Sequence, residues 1–202
     1  MSNTLRIQRH PCPVVEEIAA RHGADLVFTY SHYEVAPPGL QAIAPRTAVL
    51  RVPAYDVTPD WVAHRFAELG PNEEMAWHSH VERGNDGFHI PMIDFVGRPA
   101  HSLLCELGRL LAAEAGLGGN LVLFDTGQSF HGYFPDLIRE RAWRKYLGQL
   151  LILNEYERLP VIDTRWVDHA RVRGFTALRW SHNTNRYRAM PRLVSILESH
   201  GA

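Results

Sequence analysis

Apolar and polar residues alternate most clearly between Leu121 and Phe134, in the stretch LVLFDTGQSFHGYF. An apolar run from Leu121 to Phe124 is followed by Asp125-Thr126-Gly127-Gln128, which suits a turn, and by a second alternating run from Ser129 to Phe134. That order predicts a β-hairpin. Side chains alternate sides along a strand, so Ser129, His131 and Tyr133 fall on one face and Phe130, Gly132 and Phe134 on the other. The first face presents a hydroxyl, an imidazole and a phenol in a row beside a glycine-containing turn, an arrangement that suits an anionic group such as phosphate. An ordinary solvent-facing strand accounts for this stretch, taken alone, equally well.

The same reading predicts elements along the rest of the chain. Pro13 to His22 patterns as a short amphipathic helix ended by Gly23, and Asp25 to Tyr33 as a strand. Ala36-Pro37-Pro38-Gly39 is a loop, and Thr47 to Val52 a second strand. Thr58-Pro59 places an N-cap and a first-turn proline before a helix reaching Leu69 and stopping at Gly70. Glu74–Glu82 and Phe88–Phe95 flank Arg83-Gly84-Asn85-Asp86-Gly87 as a second hairpin, with Pro91 forcing an edge position or a bulge. Leu103 to Ala115 reads as a helix with Leu103, Leu107, Leu110 and Leu111 on its apolar face, ended by Gly116. A longer helix runs from about Leu137 to Leu153, its stripe formed by Ile138, Trp143, Tyr146, Leu147, Leu150 and Leu151. Val161-Ile162-Asp163 starts a strand, Arg165 to Arg173 is polar and charged, Thr176 to Ser181 is strand-like, and Pro191 to Ser199 closes the chain as a helix.

Length and composition narrow the class. A chain of 202 residues, 46% hydrophobic and 21% charged, suits one substantial globular domain, here divided into an N-terminal αβ lobe over 1–72 and a larger part over 73–202. A formal net charge of −1 argues against a broad basic surface dedicated to non-specific nucleic-acid binding but leaves room for a local groove, since arginines concentrate between Arg139 and Arg192. Cys12 and Cys105 stand far apart with no CxxC, which supports neither a disulfide framework nor a cysteine zinc site. Twelve histidines raise the prospect of a metal, yet none form a ligand pair at helical spacing, and His78 and His80 read as polar residues of a hairpin. No apolar run approaches membrane-spanning length and the first residues lack a signal-peptide core, so the expectation is a cytoplasmic protein with no membrane partner.

Three places then share one logic. Asp94 ends an apolar strand in MIDF, Ser129 and His131 sit on the hairpin, and Asp163 ends another apolar run in VIDT. Carboxylates emerging from neighbouring strand ends hold Mg²⁺ or Mn²⁺ against substrate phosphates. Each aspartate alone is more simply a turn or cap residue; the order of all three places is what carries weight. That order, strand-Asp, helix, Ser-x-His hairpin, long helix, hydrophobic-Asp and then Leu178-Arg179, resembles the archaeo-eukaryotic primase (primase-polymerase) superfamily over roughly Met75 to Ser181.

The resemblance implies an α+β fold: a mixed or antiparallel sheet of the RNA-recognition-motif type, flanked by helices. It implies Asp94 and Asp163 as the catalytic and metal-ligating pair, with Mg²⁺ or Mn²⁺ as cofactor. Ser129, His131 and Arg179 would be the nucleotide-binding residues, and the partners a nucleoside triphosphate, DNA or RNA, and proteins of a multi-component system. One departure counts against full activity. The family's first motif carries two aspartates one residue apart, whereas here Asp94 is followed two residues on by Val96. Three readings follow: a primase-like domain that binds nucleotide or nucleic acid with impaired or lost nucleotidyl transfer; an active primase or polymerase recruiting Asp86, Asp125 or Asp168 as third carboxylate; and a structural interaction module with no ligand. Arg165, Arg171, Arg173, Arg179, Arg186 and Arg188, interleaved with Trp166, Phe175, Trp180 and Tyr187, suit backbone contact with base stacking, or simply an exposed charged face.

Overall fold

The computed structural model describes residues 10–35, 46–156 and 160–198; the first nine residues, the Ala36-to-Gly39 loop and Ser199 lie outside them. In chain order the elements are α1 (Cys12–His22), β1 (Val27–Glu34), β2 (Arg46–Pro53), a 3₁₀ turn (Ala54–Asp56), α2 (Pro59–Ala67), β3 (Glu73–Arg83), β4 (Asp86–His89) and β5 (Met92–Asp94). They continue as α3 (His101–Ala115), β6 (Leu121–Asp125), β7 (Phe130–Tyr133), α4 (Glu140–Tyr156), α5 (Thr164–Arg173), β8 (Ala177–Arg179) and β9 (Arg192–Leu197).

The strands form two antiparallel sheets, so the fold is α+β as the sequence predicts. The first sheet runs β2-β1-β3-β4, with β8 on the same flank of β3 as β4. The second runs β5-β7-β6-β9. The first takes strands from both sides of residue 72: β1 pairs with β3 from Val27↔Glu82 to Glu34↔Glu73.

Pro91 marks the passage between the sheets. The expected outgoing arm Phe88–Phe95 is two strands, β4 in the first sheet and β5 in the second, rather than one strand with a bulge. Proline has no N–H to donate, so the β4 ladder ends before it, while its carbonyl accepts from Phe134 N at 3.0 Å in the second sheet.

Two apolar layers follow from the alternation of side chains. Between the sheets lie Phe28, Tyr30, Trp77, Phe124, Tyr133 and Trp180, closed at one end by α1 and α2. Trp77 on β3 stacks on Tyr133 of β7 with ring centroids 5.4 Å apart. The outer face of the second sheet packs Ile93, Leu121, Leu123 and Phe134 against α3, α4 and α5. Full burial of such side chains contributes about 1.5–3 kcal/mol each.

Several local expectations hold. Thr58 Oγ1 caps α2 by accepting from Trp61 N at 3.2 Å, with Pro59 in the first turn. Trp143, Tyr146, Leu147 and Leu150 form the buried stripe of α4. Others need correction. The α4 helix starts at Glu140 because Ile138 is held extended, exchanging backbone bonds with His89 at 2.8 and 2.9 Å. Leu110 is 47% exposed, and the buried face of α3 is Leu104, Leu107, Leu111 and Ala112. The Arg165–Arg173 stretch is helical, and Asp163 caps that helix instead of ending a strand, leaving one antiparallel bridge between Ile162 and Phe95. The segment after Pro191 is strand β9, paired with β6.

Candidate functional site

The hairpin folds as its pattern requires. Residues β6 and β7 provide are paired from Val122↔Tyr133 to Asp125↔Phe130. Gly127 sits in the turn at φ 90°, where a Cβ would stand 2.9 Å from Arg188 Cβ, so glycine is required on both counts. Thr126 and Ser129 close the turn: Thr126 N donates to Ser129 O at 3.0 Å, and Ser129 N donates to Thr126 Oγ1 at 3.2 Å. The Ser129 and Thr126 hydroxyls lie 3.1 Å apart. The face carrying His131 and Tyr133 is not a solvent face; both are buried, and Tyr133 joins the layer between the sheets.

The strands then bring the aspartates beside this hairpin. Strand β5 pairs with β7 so that Asp94 is directly opposite His131. On the other side of Asp94, its carbonyl accepts from Asp163 N at 2.9 Å, and Val96 N donates to Val161 O at 2.8 Å. Asp163 Oδ1 accepts from Arg165 N at 2.9 Å and from Trp166 N at 3.2 Å, which starts α5. The cap uses one carboxylate oxygen and leaves Oδ2 outside it.

Asp94, Ser129, His131, Asp163 and Arg179 all line one cleft of about 710 Å³. Val96, 42% exposed, lines it too. Arg179 on β8 is held by Ser181 O, by Ala189 O at 3.0 Å, and by the Tyr187 ring 4.1 Å below its guanidinium. The loop carrying Tyr187 and Ala189 is itself anchored by buried Glu74, whose carboxylate accepts from Ser181 Oγ, from Asn183 N, and from Thr184 N and Oγ1 at 2.7 and 2.8 Å.

Electrostatics distinguish the two partners across the β5–β7 pair. The Asp94 side chain keeps 24% of its surface open to the cleft, yet burial and the neighbouring Asp163 carboxylate push it up to about 8, against the opposing pull of Arg179. His131 is pushed down to about 3 by burial and then by Arg179. With the imidazole neutral and Asp94 protonated at neutral pH, their 3.8 Å approach is not an ion pair. His131 Nδ1 is buried with no hydrogen-bond partner among the described residues.

Other sequence candidates fall elsewhere. Asp86 is exposed and paired with Arg139 at 2.8 Å, Asp125 is gripped by both Arg98 terminal nitrogens at 2.9 Å, and Asp168 is exposed on α5; none lines the cleft. Among the described residues no group of three or more His, Cys, Asp or Glu side chains could hold a metal. Arg165, Arg173 and Arg186 line the cleft with Trp166 and Tyr187, whereas Arg171 and Arg188 do not. Trp180 is a core residue, and Phe175 stacks on His78 at 4.2 Å and does not line the cleft.

Sequence reasoning missed Tyr33, Arg46 and His169, which also line the cleft. Reading Asp163 as an N-cap would have placed Trp166, His169 and Arg173 along one side of a helix. Nothing local in β1 or β2 marks Tyr33 and Arg46.

The family model described as archaeo-eukaryotic primase 1D-like (AEP-like) matches residues 53–192. No curated protein matches the chain. Among solved structures the chain is similar to the primase RepB′, with a TM-score of 0.48 and 10% identity, over 95% of this chain and 58% of that one. The chain therefore spans a little over half the length of that protein.

Proposed function

Since the chain belongs to the archaeo-eukaryotic primase superfamily, we propose that its cleft binds a nucleoside triphosphate with one divalent cation and has lost, or nearly lost, nucleotidyl transfer. The observation that carries this reading is the composition of the cleft wall: Arg46, Arg165, Arg173, Arg179 and Arg186 stand against only two carboxylates, with Val96 where the family has a third. Such a surplus of guanidinium groups favours a polyanion. Ser129 in the turn before β7, His131 on β7 and the braced Arg179 are the phosphate-binding groups in this reading.

Two carboxylates suit one Mg²⁺ or Mn²⁺, with phosphate oxygens and water completing its shell. The donor set fits: Asp94 is pushed up by burial and then by the Asp163 carboxylate beside it, and a cation between the two carboxylates would offset both. Bound there, the ion would neutralise phosphate charge. Two ions need more anionic ligands than Asp94 and Asp163 provide, and valine supplies none. Asp86, Asp125 and Asp168 lie away from the cleft, which weighs against the active alternative. The surplus of arginines weighs against a module with no ligand.

Titration calorimetry with a nucleoside triphosphate and Mg²⁺ tests the binding claim. Wild type should bind, His131→Ala should bind more weakly, and Arg179→Gln should lose tenfold or more, since hydrogen bonds to charged groups contribute about 1.5–3 kcal/mol. Equal binding by all three proteins, or none by wild type, would end the site assignment. Template-directed extension tests the catalytic claim. Wild type should give at most a trace; robust synthesis abolished by Asp94→Ala would overturn the reading. Val96→Asp restores the family's third carboxylate, and its expected effect is a gain in extension over that trace.

A further inference from the structure

The sheet edges of this protein are not treated alike. A strand edge presents unpaired N–H and C=O groups, which proteins cover or interrupt to prevent pairing between molecules. At β4, His89 exchanges backbone bonds with Ile138 at 2.8 and 2.9 Å. At β5, the run from Val161 to Asp163 closes the edge. Phe95 bridges Ile162, Val96 N donates to Val161 O at 2.8 Å, and Asp163 N donates to Asp94 O at 2.9 Å. Strand β9 pairs with β6 along one side, and no strand among the described residues pairs along its other side.

This strand also carries apolar surface. Val194 is 46% exposed and Ile196 is 59% exposed. Ile196 borders a groove of about 400 Å³ whose other walls include Val14, Val122, Phe124 and Leu193. Val194 is an extra residue against β6, because the register passes from Leu123↔Ser195 to Phe124↔Leu193. Such a bulge twists an edge and discourages indiscriminate pairing, so an incoming strand has to match that twist.

The residues of β9 and the one that follows are their own antiparallel complement. From Arg192 to Glu198 they run Arg-Leu-Val-Ser-Ile-Leu-Glu. About Ser195, a second copy running the other way sets Arg192 opposite Glu198, Leu193 opposite Leu197 and Val194 opposite Ile196, each pair twice. Arg192 and Glu198 are both exposed. We propose that β9 is a dimer interface, at which a second copy of this chain pairs antiparallel about a two-fold axis through Ser195 and the two β5-β7-β6-β9 sheets become one. The second copy carries the same bulge and therefore the same twist, which an unrelated extended peptide does not. Val194 of the second copy comes beside Ile196 at the groove, so the exposed apolar side chains cover one another, and opposite charges close both ends. No residue from Arg192 to Glu198 lines the cleft, so the interface is independent of the ligand proposed there.

Sedimentation equilibrium of the full chain tests this. One strand pair with a small apolar centre is a modest interface, so wild type should pass from one chain of 23.0 kDa to two between about 1 and 200 µM. Val194→Lys places a charge at both symmetry-related positions and should raise the dissociation constant about tenfold or more. Arg192→Glu sets like charges against each other at both ends, and so does Glu198→Arg; each variant alone should associate about tenfold more weakly than wild type. Mixed in equal amounts, the two variants bring opposite charges together at both ends and should associate as wild type does. That rescue belongs only to the antiparallel register about Ser195. Melting temperatures show which variants fold, and Val194→Lys and Glu198→Arg still decide if Arg192→Glu, opposite Asp125 on β6, does not.

A single chain at every concentration would overturn the proposal. So would a dimer that Val194→Lys leaves unmoved, which means another surface. Two charge variants that fold but stay apart on mixing would overturn it too, since the register would be wrong. Assemblies growing beyond two chains would also overturn it, because a two-fold pair occupies both open edges and closes.

Discussion

Acid should destabilise this protein well above the carboxylate range, and His10 allows the effect to be dosed. Its ring is fully buried between Phe66 and Trp180, with centroids 5.6 and 4.6 Å away, and its Nε2 meets Trp180 O at 3.0 Å. Burial pushes it down to about 4, with the Trp180 carbonyl opposing. Between pH 6.5 and 4 the unfolded chain therefore binds a proton there that the folded chain does not, so stability rises with pH across that window. The contribution is fully present above about pH 6.5 and is lost as pH falls toward 4. A shift of that size corresponds to about 3 kcal/mol in total, of which about 2 kcal/mol is lost by pH 5. Urea unfolding of wild type and His10→Gln at pH 7 and pH 5 isolates the share of this one ring. The variant is the less stable protein at pH 7, and its deficit should shrink by about 2 kcal/mol at pH 5. His78, pushed down to about 3 chiefly by burial and then by Arg46 and Arg173, adds a parallel loss present in both proteins. An identical dependence on pH in the two proteins would show that His10 is not held neutral, and the reasoning from its burial would fail.

Other outcomes follow from particular contacts. Leu147→Ala should cost about 2–5 kcal/mol, because the side chain is 1% exposed in the layer between α4 and the second sheet; an unchanged melting temperature would mean that face is misread. Asp163→Asn should leave the melting temperature within a degree or two, since asparagine caps as well as aspartate, while lowering Mg²⁺-dependent triphosphate binding measured by calorimetry; Asp163→Ala should lower both. Gly127→Ala should destabilise by about 1–3 kcal/mol in urea unfolding, from the positive φ and the 2.9 Å approach of Arg188 Cβ.

Much of the fold was legible because its signals are local. The β6–β7 hairpin needs only alternation around a glycine turn, and α2 only Thr58-Pro59. What was not legible depends on partners distant in sequence. The run RLVSIL after Pro191 carries apolar residues at spacings that fit a helix or a strand, and pairing with β6 decides for the strand. Pro91 announces a break but not that the chain changes sheets there. Leu110 fits the apolar face of α3 by spacing, yet the sheet reaches only as far as Leu107 and Leu111. At the site, the cleft gathers Asp94, Ser129, His131, Asp163 and Arg179 because order along the chain maps onto adjacent strands and a helix start. Tyr33 and Arg46 escape notice because the β1–β3 pairing brings Tyr33 to the cleft and the β1–β2 pairing sets Arg46 opposite it, and neither pairing leaves a mark in the strands.

Position 96 and the arginines together shape what this cleft does. Asp94 and Val96 flank Phe95, whose side chain is buried in the helix layer while both neighbours line the cleft. An aspartate at 96 would therefore meet the same space as Asp94 and Asp163, where burial and mutual repulsion already hold Asp94 protonated at neutral pH. A third carboxylate raises that repulsion further unless a second cation accompanies it. In the proposed reading, valine removes the demand for that cation and with it a means of activating an attacking hydroxyl. The five arginines around the same cleft are untouched by the change, and their attraction for phosphate does not depend on metal. Under the function proposed above, a cleft with valine at 96 would favour retention of a phosphate-bearing ligand over metal-driven chemistry, which is why binding and synthesis are expected to part company in this chain.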